Sequence, residues 1–129
     1  MSLLQDYKQY GALALAYMGD SVFEIIVRKK LMEKANMPVN TLHKMAKKYV
    51  SAAGQSEIFK KIESVLTEEE MGVYKRGRNS KPYTKAKNAS VEDYSRATGV
   101  EALFGYLYLM ERLDRLDELS QYIFSEDEE

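Results

Sequence analysis

The chain has 129 residues, 45% of them hydrophobic and 11% aromatic, which is enough apolar mass for one domain with a single core. It contains no cysteine, so disulfides, thiolate metal sites and a cysteine nucleophile are excluded. The net charge of −1 predicts no polyanion partner, but it hides a basic centre and an acidic end. Neither a signal-peptide pattern nor an apolar run of membrane-spanning length is present, so we expect a cytoplasmic protein.

The first half of the chain predicts helices only. The whole chain has only two prolines and no long alternation of apolar and polar residues, so strands are not expected. A short amphipathic helix before Gly11 should lead into a long helix from about Ala12 to Lys34, which Pro38 prevents from continuing. Two further helices are expected between residues 40 and 64, with Gly54 near their junction.

The second half contains two helix starts and one loop. Thr67 with Glu70 fits a capping box, and Ser90 with Asp93 fits another helix start. Between these two starts, residues 77–88 form the clearest loop, because they include Gly, Pro, Asn and Ser and carry only positive charges.

The end of the chain predicts two more helices. The one that starts at Ser90 should continue to about Leu113 and is apolar on nearly every side. A last amphipathic helix carries Leu116, Leu119, Ile123 and Phe124. The acidic residues 125–129 are expected to be disordered. The prediction is therefore an all-α, single-domain protein spanning residues 1–129.

Two of the predicted helices are apolar on nearly every side and hold very few carboxylates. The first contains Asp20 and Glu24, and the second contains Glu101. An ionised carboxylate buried there costs several kcal/mol unless something compensates it. The small residues Gly19 and Gly105 would let the two helix backbones approach closely and bring Asp20 near Glu101.

Two kinds of partner would compensate these carboxylates. The commoner one is a lysine, an arginine or a backbone amide. The other is a divalent cation shared by two carboxylates, and oxygen ligands without cysteine favour Mg²⁺ or Mn²⁺. The six cations between Lys75 and Lys87, with no acid among them, are either a solvated loop or a phosphate-binding one. A metal site next to a cationic loop would suit cleavage of a polyphosphate chain.

Two stretches resemble the ribonuclease III family. Residues 16–24, AYMGDSVFE, resemble its first motif: an acidic residue, two apolar residues, Gly-Asp, an apolar stretch and Glu. Residues 101–108, EALFGYLY, resemble its second metal-binding helix. The basic stretch 75–81, KRGRNSK, and the lack of a double-stranded-RNA-binding domain are similar to the compact bacterial branch, Mini-ribonuclease III. The resemblance implies a helical bundle like the ribonuclease III endonuclease domain.

The resemblance also implies roles for single residues. Asp20 and Glu101 correspond to the family's catalytic aspartate and glutamate, which bind metal. Glu24 corresponds to the glutamate that closes the first motif and implies a supporting or structural role. Ala16 and Thr98 stand where longer members have further acids, so the number of bound ions stays open.

The implied function is a homodimeric, Mg²⁺-dependent endoribonuclease, with Mn²⁺ as a possible substitute. It would cut double-stranded RNA to leave 5′-phosphate and 3′-hydroxyl ends, and the compact branch is associated with maturation of 23S ribosomal RNA precursor ends. A ribosomal protein on the substrate is a possible partner. The RNA-binding candidates are Arg76, Arg78, Lys81, Lys85 and Lys87. The alternatives are a non-catalytic helical RNA-binding module with a degenerate metal site and a helical dimerisation domain.

Overall fold

The computed structural model describes residues 6–80 and 90–128, and these ranges contain six α-helices and no strand. The α-helices are α1 (Ala12–Lys34), α2 (Val39–Val50), α3 (Ala52–Ile62), α4 (Glu68–Arg78), α5 (Val91–Leu109) and α6 (Leu113–Gln121). Three 3-10 helices lie at Tyr7–Gln9, Glu63–Val65 and Tyr122–Glu128. The predicted all-α fold is confirmed, and α1 has the bounds expected from the sequence.

Side-chain caps start the later helices as predicted. The Thr67 hydroxyl accepts a hydrogen bond from the Glu70 N–H at 3.1 Å, and the Glu70 carboxylate accepts one from the Thr67 N–H at 2.9 Å. This reciprocal pair satisfies two backbone donors at the start of α4. At the start of α5, the Ser90 hydroxyl accepts from the Asp93 N–H at 3.0 Å.

Two helix ends differ from the prediction. α4 continues to Arg78, so the loop expected from residue 77 begins later. α5 ends at Leu109 instead of about Leu113, because the chain turns at Glu111, whose φ is 57°. The Arg112 N–H then bonds back to the Leu107 carbonyl at 2.9 Å, the pattern of a helix closed by a left-handed residue.

The central helix of the fold is α5, which packs against α1, α3 and α4. Between Ala97 and Leu107, every residue except Glu101 is buried. This confirms that α5 is apolar nearly all round and identifies Glu101 as the exception in its centre. The C-terminal residues expected to be apolar contacts are also buried: Leu116, Leu119, Ile123 and Phe124.

Glycines let α1 and α5 come into backbone contact, as predicted. A Cβ on Gly19 would lie 1.7 Å from the Glu101 carbonyl oxygen. A Cβ on Gly105 would lie 2.0 Å from the Leu15 carbonyl oxygen. Any side chain at either position would therefore force the two helices apart.

The prediction that α1 is buried on nearly every side before it turns polar at Arg28 is wrong. Phe23 and Val27 are buried, but Tyr17 is 82% exposed and Ile25 67%. Beyond Arg28 the helix is expected to leave the core, and Met32 is 65% exposed. Asp20 is also exposed, so it is not the buried charge expected from its neighbours. An apolar sequence pattern does not distinguish a helix face packed within its own chain from one left for a partner or a ligand.

Residues 125–128 belong to the last 3-10 helix, and residue 129 lies outside the described ranges, so the predicted disorder stays a prediction.

Over residues 6–80 and 90–128, no helix is both long and apolar enough to cross a bilayer.

Candidate metal and catalytic site

An open pocket of about 370 Å³ brings the two predicted carboxylates together. It lies where α1, α3 and α5 meet, and the end of α2 closes one side. Its polar lining comes from Asp20 on α1, Gln55 on α3 and Glu101 on α5, together with Tyr17, Tyr94 and Thr98. Asp20 on α1 and Glu101 on α5 therefore line one pocket, as the sequence predicts.

Backbone contact between α1 and α5 explains why these carboxylates meet. Gly19 lies against the backbone of Glu101, so the next residue on α1, Asp20, is brought beside the glutamate. Both carboxyl groups line the same pocket, and Asp20 is close enough to contribute to the raised pKa of Glu101. Asp20 is exposed to solvent, whereas Glu101 is only partly exposed.

The environment of Glu101 disfavours its charged form. Burial raises the pKa of the Glu101 carboxyl to about 8, and the nearby Asp20 contributes to this rise. A hydrogen bond with the Gln55 side chain acts in the opposite direction and lowers the pKa. Glu101 is therefore mostly neutral at pH 7 unless a cation arrives to share its charge.

Among the described residues, no lysine or arginine neutralises this pair. Across the part of the chain that the structure describes, neither Asp20 nor Glu101 forms a salt bridge with a lysine or arginine. The commoner interpretation of these acids, a pairing with a basic side chain, thus finds no support among the described residues. Among the described residues that line the pocket, none is a lysine or an arginine.

The donor set fits a hard divalent cation that keeps most of its waters. Within residues 6–80 and 90–128, no three histidines, cysteines or acids are grouped closely enough to form a larger metal site. Ala16 and Thr98 do line the pocket, but the Thr98 hydroxyl donates to the Tyr94 carbonyl at 3.0 Å. Mg²⁺ commonly binds through one or two carboxylates plus water and substrate phosphate, which matches these two acids.

Glu24 lies one turn beyond Asp20 on α1 and is engaged elsewhere. Its carboxylate pairs with the Arg28 guanidinium at 3.0 Å on the same helix. It is not among the residues that line the pocket. The contact with Arg28 favours a structural role for Glu24, one of the two roles that the family motif implied.

The predicted RNA-binding cations have different surroundings. The Arg76 guanidinium donates to the backbone carbonyls of Lys8, at 2.8 Å, and Tyr10, and so ties the N-terminal 3-10 helix to α4. Arg78 lies 5.9 Å from the centre of the Tyr74 ring, and its Nε donates to the Asn79 side chain at 3.2 Å. The other three candidates, Lys81, Lys85 and Lys87, lie outside the described residues.

A second basic surface was missed in the sequence. α2 carries His43, Lys44, Lys47 and Lys48, all exposed, and it contains no acidic residue. Its last residue, Val50, lines the carboxylate pocket. The run HKMAKK at residues 43–48 is the sequence signal for this surface, since it holds four basic side chains and no acid.

Comparisons with known proteins identify the family. The Ribonuclease III domain model matches residues 13–112, which include both carboxylates. The chain is 46% identical to Mini-ribonuclease 3 of Clostridium tetani over 122 residues, covering 94% of this chain and 81% of that protein. It is 48% identical to Mini-ribonuclease 3 of Enterococcus faecalis over 118 residues, covering 90% of this chain and 89% of that protein.

A solved structure agrees with these similarities. The crystal structure of a protein from Fusobacterium nucleatum superposes with a TM-score of 0.84 at 31% sequence identity. The superposition covers 95% of this chain and 98% of the other. The chain therefore belongs to the ribonuclease III family of endoribonucleases, in its compact Mini-ribonuclease 3 branch.

Proposed function

We propose that this protein is a Mg²⁺-dependent endoribonuclease that cuts double-stranded RNA, with Mn²⁺ as a possible substitute. The observation that carries the proposal is the carboxylate pair of Asp20 and Glu101, which lies in an open pocket and has no neutralising side chain among the described residues. Membership of a family that uses divalent metal on double-stranded RNA supports it.

The two carboxylates have complementary tasks in this proposal. A bound Mg²⁺ would activate water and neutralise charge on the scissile phosphate. Asp20, exposed on α1, presents its carboxylate to incoming ion and substrate. Glu101 projects from the most tightly packed part of α5, so its position is restrained by the core. Its high pKa means that binding of the ion must displace a proton from this carboxyl.

RNA binding would depend on basic side chains. We propose Arg78, Lys81, Lys85 and Lys87 as phosphate contacts, and Arg76 to the extent that its bonds to backbone carbonyls allow. Lys44 and Lys47 are added because they are exposed on α2, the helix whose last residue, Val50, lines the pocket. Such contacts recognise the phosphates and shape of A-form RNA rather than its sequence, and they weaken as salt rises.

A homodimer is part of the proposal. The exposed apolar side chains of α1 at Tyr17, Ile25 and Met32 would be costly on an isolated monomer and suit a partner surface. The association of the compact branch with ribosomal RNA leads us to propose precursor 23S ends as substrate, in the cytoplasm, with a ribosomal protein as a possible aid.

The test of the activity is a cleavage assay with purified protein. A labelled RNA duplex should be cut in Mg²⁺ and left intact in EDTA, while single-stranded RNA and a DNA duplex of the same sequence should survive. Products should carry 5′-phosphate and 3′-hydroxyl ends. A shifted but uncut complex in Mg²⁺ would instead support the non-catalytic RNA-binding module, and no interaction would support a dimerisation domain.

The substrate proposal needs its own comparison. A stem formed by the paired ends of precursor 23S ribosomal RNA should be cut faster and at fewer positions than an unrelated duplex of equal length. Adding large-subunit ribosomal proteins one at a time would reveal any that stimulates cleavage. Equal rates and scattered cuts on both duplexes would count against a precursor-specific role.

A further inference from the structure

Gln55 is a buried polar residue in the wall of the carboxylate pocket. Its side chain is 1% exposed, yet it lines the same cavity as Asp20 and Glu101. The amide nitrogen donates to the Val50 carbonyl at 3.5 Å, a long contact, and the amide oxygen has no hydrogen-bond partner. A buried acceptor left unpaired costs about 1–3 kcal/mol, so native proteins seldom keep one without a reason.

The local structure holds Gln55 firmly in place. The Ser51 hydroxyl caps α3 by accepting from the Gly54 N–H at 3.1 Å. A Cβ on Gly54 would lie 2.1 Å from the Lys48 carbonyl oxygen, so the start of α3 lies directly against the end of α2. Because Gln55 follows Gly54, its amide is positioned by two helices and has little freedom to turn towards water.

The amide shares the pocket with both carboxylates. The Gln55 side chain acts on the Glu101 carboxyl by lowering its pKa. An amide has two N–H donors and one carbonyl acceptor, so Gln55 can donate to a carboxylate and accept from a different group. The waters on a divalent cation are donors, so a cation in this pocket would offer a partner to the Gln55 amide oxygen.

We propose that Gln55 is a positioning residue for the metal site, donating a hydrogen bond to the Glu101 carboxylate and accepting one from a water on the bound cation. This inference rests on the proposed function, because it assumes that Asp20 and Glu101 bind the ion. Groups in this position orient the ligands of a metal, and their loss commonly lowers metal affinity or activity 10- to 100-fold.

The test is a titration of the full chain with Mn²⁺. The electron paramagnetic resonance signal of the free ion measures how much Mn²⁺ remains unbound. Gln55→Met has nearly the same length but no donor, and its thioether sulfur is only a weak acceptor. We expect its Mn²⁺ dissociation constant to rise about 10-fold or more. In the cleavage assay, the Mg²⁺ concentration for half-maximal rate should rise by a similar factor, and saturating Mg²⁺ should restore much of the maximal rate.

Ser56→Ala is the matched control. Ser56 is the next residue on α3, is also 1% exposed and accepts from Arg96 at 3.4 Å, but it does not line the pocket. It should bind Mn²⁺ as the unmodified protein does. If Gln55→Met does not fold, as judged by thermal unfolding, Gln55→Leu serves in its place.

The outcomes separate the two proposals. Unchanged Mn²⁺ and Mg²⁺ dependence in a folded Gln55→Met protein would overturn the role of Gln55 and leave the metal site standing, provided Asp20→Asn abolishes Mn²⁺ binding. If Asp20→Asn leaves Mn²⁺ binding unchanged and the unmodified protein cuts no RNA, the proposed function itself fails. Weakened Mn²⁺ binding in Gln55→Met alone among the α3 variants supports the inference.

Discussion

Of two acidic clusters in the part of the chain that the structure describes, only one is neutralised by described side chains. In the first, Glu70 is 3% exposed, and both of its oxygens accept hydrogen bonds from Arg115 at 2.8 Å. Burial raises the pKa of Glu70, but the bonds from Arg115 and Thr67 outweigh it, so the net pKa lies below the ordinary value. In the second, Glu101 has Asp20 beside it and a pKa raised to about 8.

The neighbouring Glu69 completes the contrast. A hydrogen bond from Arg112 at 3.1 Å and another from the Tyr106 hydroxyl lower its pKa. The Glu69 and Glu70 cluster is thus closed by fixed guanidinium groups and holds α4 to α5 and α6. The Asp20 and Glu101 pair opens on a pocket and has no such partner among the described residues. Buried acids with fixed partners serve structure, whereas acids without them indicate a ligand.

Breaking the closed cluster should have the largest effect on stability. Arg115→Met leaves Glu70 buried without its guanidinium, and removing one partner of a buried pair costs about 3 kcal/mol. Urea unfolding measures the free energy of unfolding. Glu118→Gln is the control, since its 3.8 Å contact with Arg115 is exposed and should contribute less than about 0.5 kcal/mol. Equal effects of the two variants would contradict the contrast.

Separating α1 from α5 should have the next largest effect. Gly19→Ala places a Cβ against the Glu101 carbonyl and should lower the free energy of unfolding by about 2 kcal/mol or more. It should also reduce cleavage, because the two carboxylates are moved apart. Gly72→Ala is the matched control: nothing lies within 4 Å of its Cβ position on α4. That variant should be neutral or more stable, because alanine favours helix.

The clusters should respond oppositely to pH. Glu70 has a lowered pKa, so its contribution to stability is lost as pH falls below its unfolded value of about 4.5. Glu101 has a raised pKa, so stability falls as pH rises from about 4.5 to about 8. Asp20→Asn removes a like charge and should recover about 1 kcal/mol at pH 8. Urea unfolding of the unmodified protein and of Asp20→Asn across this pH range measures the difference in the free energy of unfolding. Parallel plots of that free energy against pH would contradict the prediction.

The two arginines at the end of α4 should differ in smaller ways. Arg78→Gln should lower the slope of the logarithm of RNA affinity against the logarithm of salt concentration by about 1. Arg76→Gln should change that slope less and instead lower the free energy of unfolding by about 1 kcal/mol, because two carbonyls lose their donor. Filter binding and urea unfolding separate these effects, and identical salt slopes would remove the distinction.

Much of the fold could be predicted from local signals. The capping pairs at Thr67 and Ser90 located two helix starts, and the small residues Gly19 and Gly105 predicted the backbone contact of α1 with α5. These signals work because each is a short-range steric or hydrogen-bonding requirement. The pairing of Asp20 with Glu101 followed from that contact and from the family motifs.

Other features depended on tertiary structure. Asp20 is exposed, whereas burial raises the pKa of Glu101. This is the reverse of what the apolar neighbours of Asp20 suggested. The contact of Arg76 with Lys8 spans most of the chain and has no local signature. The buried amide of Gln55 is visible only once α3 is placed against α5, because helix periodicity does not say what a side chain faces.

The central claim is that Asp20 and Glu101 share a divalent ion that cuts RNA. The most direct measurement is the rate of duplex RNA cleavage in Mg²⁺ by the unmodified protein, Asp20→Asn and Glu101→Gln. Since bound metal supplies several kcal/mol of transition-state stabilisation, each variant should be at least about a thousandfold slower while its fold and RNA affinity are retained. Cleavage by either folded variant at the unmodified rate would contradict the account.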